Sequence, residues 1–415
     1  MNGNSEPLKA SRIRGLEAAE GGGRDTRKPS GDRALQFATA PHVRVPPLPA
    51  TAVAGGLEKS VRGYILAFRM MQEAAILNVA VAGAGRMGCH HARIYTEQPG
   101  CRLVGVCDPD PARAAAAGEQ FHCPVFRSAA DLFAAGITPH AASIAAPTVQ
   151  HRALAEEFFR RGVHLLIEKP LAPSLAEARA IVDLARNRGC VLQVGHSERF
   201  NPVVRALDRH CLKPRFVEVH RVSPLTFRSV DIGVVLDLMI HDIDIVHHFV
   251  AAAVKSVAAV GVSVIGQFED IANARLVFTN GCVANLTASR LALKTERRMR
   301  LFSPEMYASV DYHKKAGVVI QRTANEQQLD MVRRKIAAGE LAELGDLNYT
   351  ELVCYEPLVV EECEPLRAEI ESFLHSVRTG AAPAVTGEDG CFAVDVAARI
   401  GAAIAASGET RLAEA

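Results

Sequence analysis

The sequence predicts an α/β protein: a doubly wound parallel sheet followed by a second, α+β domain with an open-faced, largely antiparallel sheet. Apolar strand-like runs alternate with helical segments between residues 76 and 195, an order that builds a parallel sheet with helices on both faces. Six strand-like segments with few helices between them span residues 257–322, which favours antiparallel pairing. The third observation is a glycine-rich turn between the first strand and the first helix.

Composition sets the broad class of the protein. The 415 residues include 47 lysines and arginines against 46 acids, a net charge of +1, whereas nucleic-acid and anionic-membrane surfaces need concentrated positive charge. The basic runs at 297–300 and 333–335 are short and flanked by acids, so we interpret them as solvated faces. No apolar stretch reaches the ~18 residues of a membrane-spanning helix. We expect no nucleic-acid or membrane partner, and a cytoplasmic protein whose ten cysteines are reduced.

Residues 1–75 differ from the rest of the chain. Glycine- and proline-rich stretches interrupt every helical or strand period, so the segment cannot bury enough apolar surface and is expected to be disordered. It lacks the apolar core of a secretory signal, and its acids argue against a transit peptide. Two interpretations stay open: a flexible tail, or an over-extended start before Met70 or Met71.

The first predicted strand, 76–82, leads directly into GAGRMG at 83–88 and then into a helix. GxGxxG between a strand and a helix is typical of a Rossmann dinucleotide site. The first glycine permits the tight turn, the second lets backbone approach a pyrophosphate, and the third lets the helix pack on the strand. The helix N-terminus itself attracts phosphate. The residues expected to contact the cofactor here are Gly83, Gly85, Arg86, Met87 and Gly88.

An acidic residue ends the second predicted strand. Asp108 follows 102–107 and lies 25 positions after Gly83. A carboxylate there accepts hydrogen bonds from the adenosine ribose hydroxyls and repels a 2′-phosphate, which favours NAD over NADP. The alternative is that Asp108 caps the helix that begins just after it.

Three polar segments follow later strands, at the edge where a parallel sheet binds its ligands. They come after the strands predicted at 141–145, 163–167 and 191–194, and the third is GHSERF. The second contains a Glu–Lys pair, which in isolation is more often a surface pair, but its position in the crevice favours a functional role. The cofactor-binding candidates from these strand ends are Pro147, Thr148, His151, Glu168 and Lys169.

A mostly apolar helix that begins near Asp237 carries one polar stripe. At about 100° per residue, Asp237, His241, Asp244 and His248 fall within an arc of roughly 60°. Buried ionisable groups need partners. Three interpretations stay open: a metal shared by His and Asp side chains, a structural Asp–His network, and a catalytic dyad in which a carboxylate fixes the tautomer of a proton-accepting histidine. We favour the dyad and expect no metal.

Predicted domains are 76–195 for the nucleotide and 196–415 for substrate binding and oligomerisation. The C-terminal part ends in two helices, at 364–378 and 388–406. Residues 326–341 are expected to form an inserted helix or an excursion from the sheet.

Six motifs occur in one order between residues 76 and 250: GAGRMG, VCDPD, APTVQH, EKP, GHSERFNP and an Asp-xxx-His-xx-Asp helix. Together with PLRAEIESF and VTGEDG near the C-terminus, they resemble the Gfo/Idh/MocA oxidoreductase family over residues 76–407. The resemblance implies NAD as cofactor and a hydroxyl-oxidising dehydrogenase. It also implies a homo-oligomer, dimer or tetramer, formed through the open face of the second sheet.

The resemblance also implies roles for particular residues. Lys169 of the EKP motif would lie beside the nicotinamide ribose and the reacting carbon, and Glu168 would help to hold the nicotinamide end. His241 would accept the proton, and Asp237 would line the same site. Met239 departs from the family pattern, in which many relatives have glycine, and is expected to narrow the pocket.

Residues 221–244 resemble a branch of the family that oxidises C3 of UDP-N-acetylglucosamine for diamino-sugar lipid A. The substrate would then be a small UDP-linked sugar, whose phosphates suit arginine side chains. Ordinary salt bridges are the equal alternative for each arginine. A free sugar, inositol or another nucleotide sugar stays open as substrate, and so does a non-catalytic NAD-binding sensor. The substrate candidates are Arg199, Arg221, Arg228 and Asp244, with Arg290 as a further partner for a diphosphate.

Overall fold

The computed structural model describes residues 76–225, 232–265, 267–340, 352–407 and 410–411. The expectations for residues 1–75 and for Arg228 therefore lie outside the described residues. Within the described part, no helix combines the length and the apolar character that crossing a membrane requires.

Residues 77–195 of the described chain form a six-stranded sheet in the order β3-β2-β1-β4-β5-β6, with every neighbouring pair parallel. This strand order is that of a doubly wound dinucleotide-binding fold, as predicted. The strands are β1 Leu77–Ala82, β2 Cys101–Cys107, β3 Val125–Phe126, β4 Ala141–Ile144, β5 His164–Glu168 and β6 Leu192–Gly195. The helices between them are α1 Arg86–Glu97, α2 Pro111–Phe121, α3 Ala129–Ala134, α4 His151–Phe159 and α5 Leu175–Asn187, with a 3₁₀ turn at Thr148–Gln150.

Both faces of this sheet are buried, which explains its continuous apolar strands. In β1, Ala80 and Ala82 pack into the cluster on one face, whereas Val79 and Val81 pack into the cluster on the other. Successive side chains of a strand point to opposite faces, so one apolar run supplies both cores.

A helix from the far end of the chain completes the second of these cores. In this helix, α9 (Pro365–Thr379), the side chains of Ile370, Phe373 and Leu374 lie in the same cluster as Val79. By packing, therefore, residues 365–379 belong with the nucleotide-binding half, which the predicted division at residue 195 leaves out.

The second sheet has nine strands within the described residues, in the order β14-β13-β12-β11-β7-β10-β9-β8-β15. Its pairs are antiparallel except β7–β10 and β8–β15, which are parallel. The strands are β7 Phe216–Val222, β8 Val254–Ser263, β9 Ile271–Phe278, β10 Val283–Ser289, β11 Glu296–Phe302, β12 Met306–Asp311, β13 Ala316–Arg322, β14 Val353–Pro357 and β15 Thr410–Arg411. The other helical segments are two 3₁₀ turns, Ser197–Phe200 and Asp208–His210, a π-helical turn Val235–Met239, and the helices α6 Pro202–Leu207, α7 Ile240–Val250, α8 Glu326–Ala337 and α10 Gly387–Ala406.

Only one face of the second sheet has a helical cover in the described part of the chain. Helices α7 and α10 supply Ile243, Val246 and Ile400 to the core on that face. Successive side chains of a strand point to the two faces in turn. Those on the opposite face, such as Arg298 and Arg300 of β11, are polar and exposed, whereas their neighbours are buried. This is the open face that the sequence predicts. Residues 326–337 form helix α8, which has no buried residue and is therefore an excursion from the core.

Candidate active site

The three glycines after β1 differ in the space around them. Gly83 has φ +102°, and a Cβ there would lie 2.5 Å from the Ala145 carbonyl oxygen. A Cβ on Gly88 would lie 1.7 Å from the Gly83 carbonyl oxygen, so helix and turn touch backbone to backbone. A Cβ on Gly85 would meet nothing within 4 Å. The turn is therefore tight at its two ends and open in the middle.

The open middle coincides with the start of α1. Gly85 is the N-cap residue of this helix, and no side chain of the described residues caps it. The first amides of α1, beginning at Arg86 and Met87, therefore face the opening without an internal acceptor, an arrangement that binds pyrophosphate oxygens. The residues present fit the phosphate part of a dinucleotide.

Asp108 lies at the end of β2 and secures the glycine turn. One carboxylate oxygen accepts the Ala84 amide at 2.7 Å, and the other accepts the Asp110 amide at 2.9 Å and Arg113 Nη2 at 3.1 Å. Burial raises the pKa of Asp108, but these hydrogen bonds outweigh burial and the pKa lies below its usual value. Asp110, rather than Asp108, caps α2 by accepting two backbone amides.

A pocket of about 340 Å³ opens beside this carboxylate. It lies across the ends of β1, β2 and β4, where a doubly wound sheet binds the adenosine part of its cofactor. Asp108 therefore lines this pocket, as the ribose role predicted for it requires. The pocket is lined by Gly83, Asp108, Arg113, Arg127, Pro147 and Gln150, among others.

The loop after β4 is held by a buried histidine. His151, 1% exposed, lies with Nε2 2.9 Å from the Ala146 carbonyl oxygen and Nδ1 3.1 Å from that of Pro170. Burial lowers the pKa of this imidazole. His151 thus links the segment before the Pro147–Thr148 turn to the segment that carries Lys169.

Lys169 follows β5 and reaches across to the second domain. Its Nζ donates a hydrogen bond of 2.9 Å to the Asp237 carbonyl oxygen, in the π-helical turn that precedes α7. Burial lowers the pKa of this ammonium, while the charges of Asp237 and Glu168 partly restore it. The strand end and the later helix therefore meet at this contact.

His241 lies one helical turn beyond that contact. Its Nδ1 is buried and has no hydrogen-bond partner among the described residues. Burial, followed by the charges of Lys169 and Arg221, holds the pKa of His241 well below its usual value. The imidazole is therefore neutral near pH 7 and is able to accept a proton.

The polar stripe on this helix divides into two parts. Residues 235–239 form a π-helical turn, so the regular 100° spacing does not hold from Asp237 to His241. No hydrogen bond within the described chain joins the Asp237 carboxylate to His241, so that tautomer-fixing contact is not observed. Met239 is fully buried in the hydrophobic core, so the expected narrowing of the pocket is not seen.

The other half of the stripe is an ion-pair network. Arg199 Nε and Nη2 lie 3.0 and 2.6 Å from the two carboxylate oxygens of Asp244, with both side chains buried. Arg199 also donates to His248 Nδ1 at 2.9 Å, and His248 Nε2 lies 2.6 Å from Asp208. For Arg199 and Asp244, this geometry favours the structural alternative over substrate binding.

The arginines considered for a diphosphate are paired as well. Arg221, 3% exposed, binds Asp242 through Nε and Nη2 at 2.8 and 2.7 Å. Arg290, 4% exposed, lies 3.1 Å from Asp270 and donates to the carbonyl oxygens of residues 232 and 269. Both positions favour the salt-bridge alternative.

Behind the Glu–Lys pair lies a buried chain of polar groups that the sequence analysis missed. Tyr95 and His91 Nδ1 both contact Ser143 Oγ at 2.8 Å, and His91 Nε2 lies 2.9 Å from Glu168. Glu369 of α9 joins them, since single ligand atoms of His91, Glu168 and Glu369 lie within 4.8 Å of one another. The three side chains have the composition of a metal site. Protonation of Glu369 is the alternative, because it removes the repulsion between the neighbouring carboxylates of Glu168 and Glu369.

His196, after β6, is a second side chain that the sequence analysis did not single out. Its ring is 1% exposed, and neither nitrogen has a hydrogen-bond partner in the described residues. Burial lowers its pKa, and the charges of Asp244, Arg199 and Lys169 also act on it. The GHSERF motif contained the signal, a polar residue at a strand end.

Three features together define an NAD-dependent oxidoreductase. They are a glycine turn that fits a dinucleotide, the ammonium of Lys169 at the end of a parallel strand, and the neutral imidazole of His241 from the second domain. The oxidoreductase family with an NAD-binding Rossmann fold matches residues 77–196, and the GFO/IDH/MocA C-terminal domain matches residues 215–305. The chain belongs to the Gfo/Idh/MocA family, uses NAD, and is a dehydrogenase of the type that acts on CH–OH groups.

Two curated relatives illustrate the range of the family. UDP-N-acetylglucosamine 3-dehydrogenase from Acidithiobacillus ferrooxidans is 37% identical over 277 residues, 64% of this chain and 87% of that protein. Its solved structure has a TM-score of 0.70 at 33% identity, covering 80% of this chain and 98% of that one. Inositol 2-dehydrogenase from Rhizobium meliloti is 27% identical, over 76% of this chain and 93% of that protein.

Proposed function

We propose that this enzyme oxidises the C3 hydroxyl of UDP-N-acetylglucosamine with NAD, and that the 3-keto product is an intermediate of diamino-sugar lipid A synthesis. The observation that carries the chemistry is the hydrogen bond from Lys169 to the turn that precedes His241. The similarity to UDP-N-acetylglucosamine 3-dehydrogenase, at 37% identity, supports the substrate.

The two side chains divide the work on the substrate hydroxyl. Bound NAD supplies the hydride acceptor. Neutral His241 takes the hydroxyl proton, and a positioned base of this kind contributes about 10²–10⁴-fold. Lys169 has three N–H groups and donates one of them to the Asp237 carbonyl oxygen. The other two are available to the substrate hydroxyl oxygen, whose developing negative charge they stabilise.

The open turn at Gly85 and the first amides of α1 would hold the pyrophosphate, Asp108 the adenosine ribose, and Glu168 the nicotinamide end. The Glu168 side chain is fixed for this role by His91, at 2.9 Å. With these groups preset, orientation of the reacting carbons contributes much of the rate.

The test is reduction of NAD, followed by absorbance, with a panel that includes UDP-N-acetylglucosamine, N-acetylglucosamine and myo-inositol. We expect turnover with the first compound only. Lys169→Ala and His241→Ala should bind NAD normally, as judged by fluorescence titration, and lose at least about 100-fold in kcat. Wild-type kcat in both variants would contradict the assigned roles.

Inositol oxidation is the second candidate, because a relative named inositol 2-dehydrogenase aligns over 93% of its own length. Turnover of myo-inositol in the same panel, without turnover of the UDP-sugar, would establish it. A protein that binds NAD without oxidising any member of the panel would instead be a sensor.

We also propose a homo-oligomer assembled through the open face of the second sheet and a cytoplasmic location. The open face displays paired polar groups such as Arg300 and Glu218, 3.1 Å apart, which suit a polar subunit interface. All ten cysteines are free thiols, as a reducing compartment would keep them. Light scattering of the purified enzyme measures the number of subunits directly.

A further inference from the structure

Arg297 belongs to a basic run that the sequence analysis interpreted as a solvated face. In strand β11 the arginines of this run point to opposite faces of the sheet. Arg298 and Arg300 point to the open face of the second sheet, where both are exposed. Arg297 shares its side of β11 with Met299 and Leu301, which are buried in the core. Arg297 therefore projects toward the face that carries α7 and His241.

The register brings Arg297 beside the buried arginine of the neighbouring strand. Arg297 on β11 is paired directly with Arg221 on β7. Glu198 lies between them, with one oxygen 3.0 Å from Arg297 Nη1 and 3.3 Å from Arg221 Nη1. Directly opposed residues of an antiparallel pair project from the same face, so the two guanidinium groups share one carboxylate.

The two arginines use their donors differently. Arg221, like Arg199, presents the Nε and Nη2 edge of its guanidinium to a carboxylate, with two contacts of 2.8 and 2.7 Å to Asp242. Arg297 has the same edge, but its Nε is buried without an acceptor among the described residues. A buried donor without an acceptor is costly, and this edge matches two oxygens of a carboxylate or phosphate.

Exposure also distinguishes Arg297. Its side chain is 37% accessible, against 3% for Arg221 and 7% for Arg199. Its charge is one of those that depress the pKa of His241, so Arg297 lies within electrostatic reach of the proposed base. Arg297 therefore combines an accessible side chain with a position on the sheet face that α7 covers.

We propose that the Nε–Nη2 edge of Arg297 binds a phosphate of the substrate's diphosphate and so selects a nucleotide sugar over a free sugar. The inference rests on the proposed function, in which the diphosphate is attached to C1, two carbons from the reacting C3. Arg297 replaces Arg221 and Arg290 as the expected phosphate partner, because those two guanidinium groups already contact Asp242 and Asp270.

The experiment compares wild type with Arg297→Ala, Arg297→Lys and the matched control Arg298→Ala, which alters the neighbouring residue on the open face. UDP and NAD binding are measured by calorimetry, and KM and kcat with UDP-N-acetylglucosamine. Losing a charge-assisted two-pronged contact should weaken UDP binding and raise KM by about 10- to 100-fold in Arg297→Ala. Arg297→Lys keeps the charge without the fork and should show a smaller rise.

The supporting result is weaker UDP binding in both Arg297 variants, with NAD affinity unchanged and the control within about twofold of wild type. Equal UDP affinity in wild type and both variants, or an equal loss of NAD affinity, overturns the inference. If wild type binds UDP through Arg297 but reduces no NAD with the UDP-sugar, the inference stands and the proposed function fails. If wild type does not bind UDP, both fail.

Discussion

Breaking the Arg199–Asp244 pair tests whether this arginine serves the fold or the substrate. The two side chains are 7% and 1% exposed and are joined by two contacts of 3.0 and 2.6 Å. Removing one partner leaves a buried charge without compensation, which costs about 3–5 kcal/mol. Since a domain is stable by about 5–15 kcal/mol, Asp244→Leu or Arg199→Met alone should lose a large share of the free energy of unfolding.

Replacing both partners should behave differently. In Arg199→Met/Asp244→Leu no charge is left unpaired, and such apolar replacements of buried pairs are often neutral or stabilising by about 1–4 kcal/mol. The double variant should therefore recover most of the loss, which gives a large coupling energy in the double-mutant cycle. Arg186→Met is the control, because Arg186 is 64% exposed and its surface pairs contribute about 0–1 kcal/mol.

The assay is urea unfolding followed by circular dichroism, together with KM for the sugar substrate. The structural role predicts a lowered urea midpoint in each single variant and a restored midpoint in the double variant. A different outcome would refute this reasoning: Arg199→Met with a wild-type midpoint and a KM raised about tenfold or more would show that Arg199 binds substrate.

Three further predictions follow from the site. Because the pKa of His241 lies well below its usual 6.5, kcat/KM should stay constant as the pH falls from about 8 to 6.5 and decline only below that; an acidic limb centred above pH 7 contradicts the assignment. Gly85→Ala should keep the melting temperature and weaken NAD binding. Gly88→Ala should instead destabilise the fold by about 1–3 kcal/mol or more, because its Cβ would lie 1.7 Å from the Gly83 carbonyl oxygen. Equal melting temperatures of the two variants would refute this contrast. Burial and the charge of Glu168 raise the pKa of Glu369, so its stabilising contribution is full below the unfolded pKa of about 4.3 and is lost as the pH rises through the folded value. Glu369→Gln should therefore gain in melting temperature relative to wild type as the pH rises above about 4.3, and parallel pH curves would contradict a raised pKa of Glu369.

Much of the fold was predictable because its signals are local. The buried strands of the first sheet are continuous apolar runs bounded by glycine or polar residues, and β9, at Ile271–Phe278, was predicted with its observed bounds. Strand β7 was missed although it lies inside the second sheet. Its sequence FVEVHRV has Arg221 on the buried face, where Asp242 neutralises the charge. A charged residue at a buried position breaks the alternation of apolar and polar residues by which a strand is predicted from sequence.

The site was predictable where a motif follows a strand and unpredictable where partners come from elsewhere. Lys169 and His241 were singled out from a motif and a helix, and the Lys169 side chain contacts the turn that precedes His241. His91 was not, because its partners Ser143 and Glu168 are 52 and 77 positions away and only the folded sheet brings them together. The stripe from Asp237 to His248 was predicted as one continuous face, because a helical wheel cannot anticipate the π-helical turn at residues 235–239.

The docking of α9 against the first sheet has a consequence for synthesis of the chain. The ribosome completes β1–β6 well before it makes Ile370 and Phe373, whose side chains fill the core beside Val79. Until those residues emerge, the nucleotide-binding half keeps an uncovered apolar surface that is open to chaperones. A fragment ending after β6 should consequently be a poor, aggregation-prone NAD binder, and the enzyme should gain its cofactor only when translation is nearly finished.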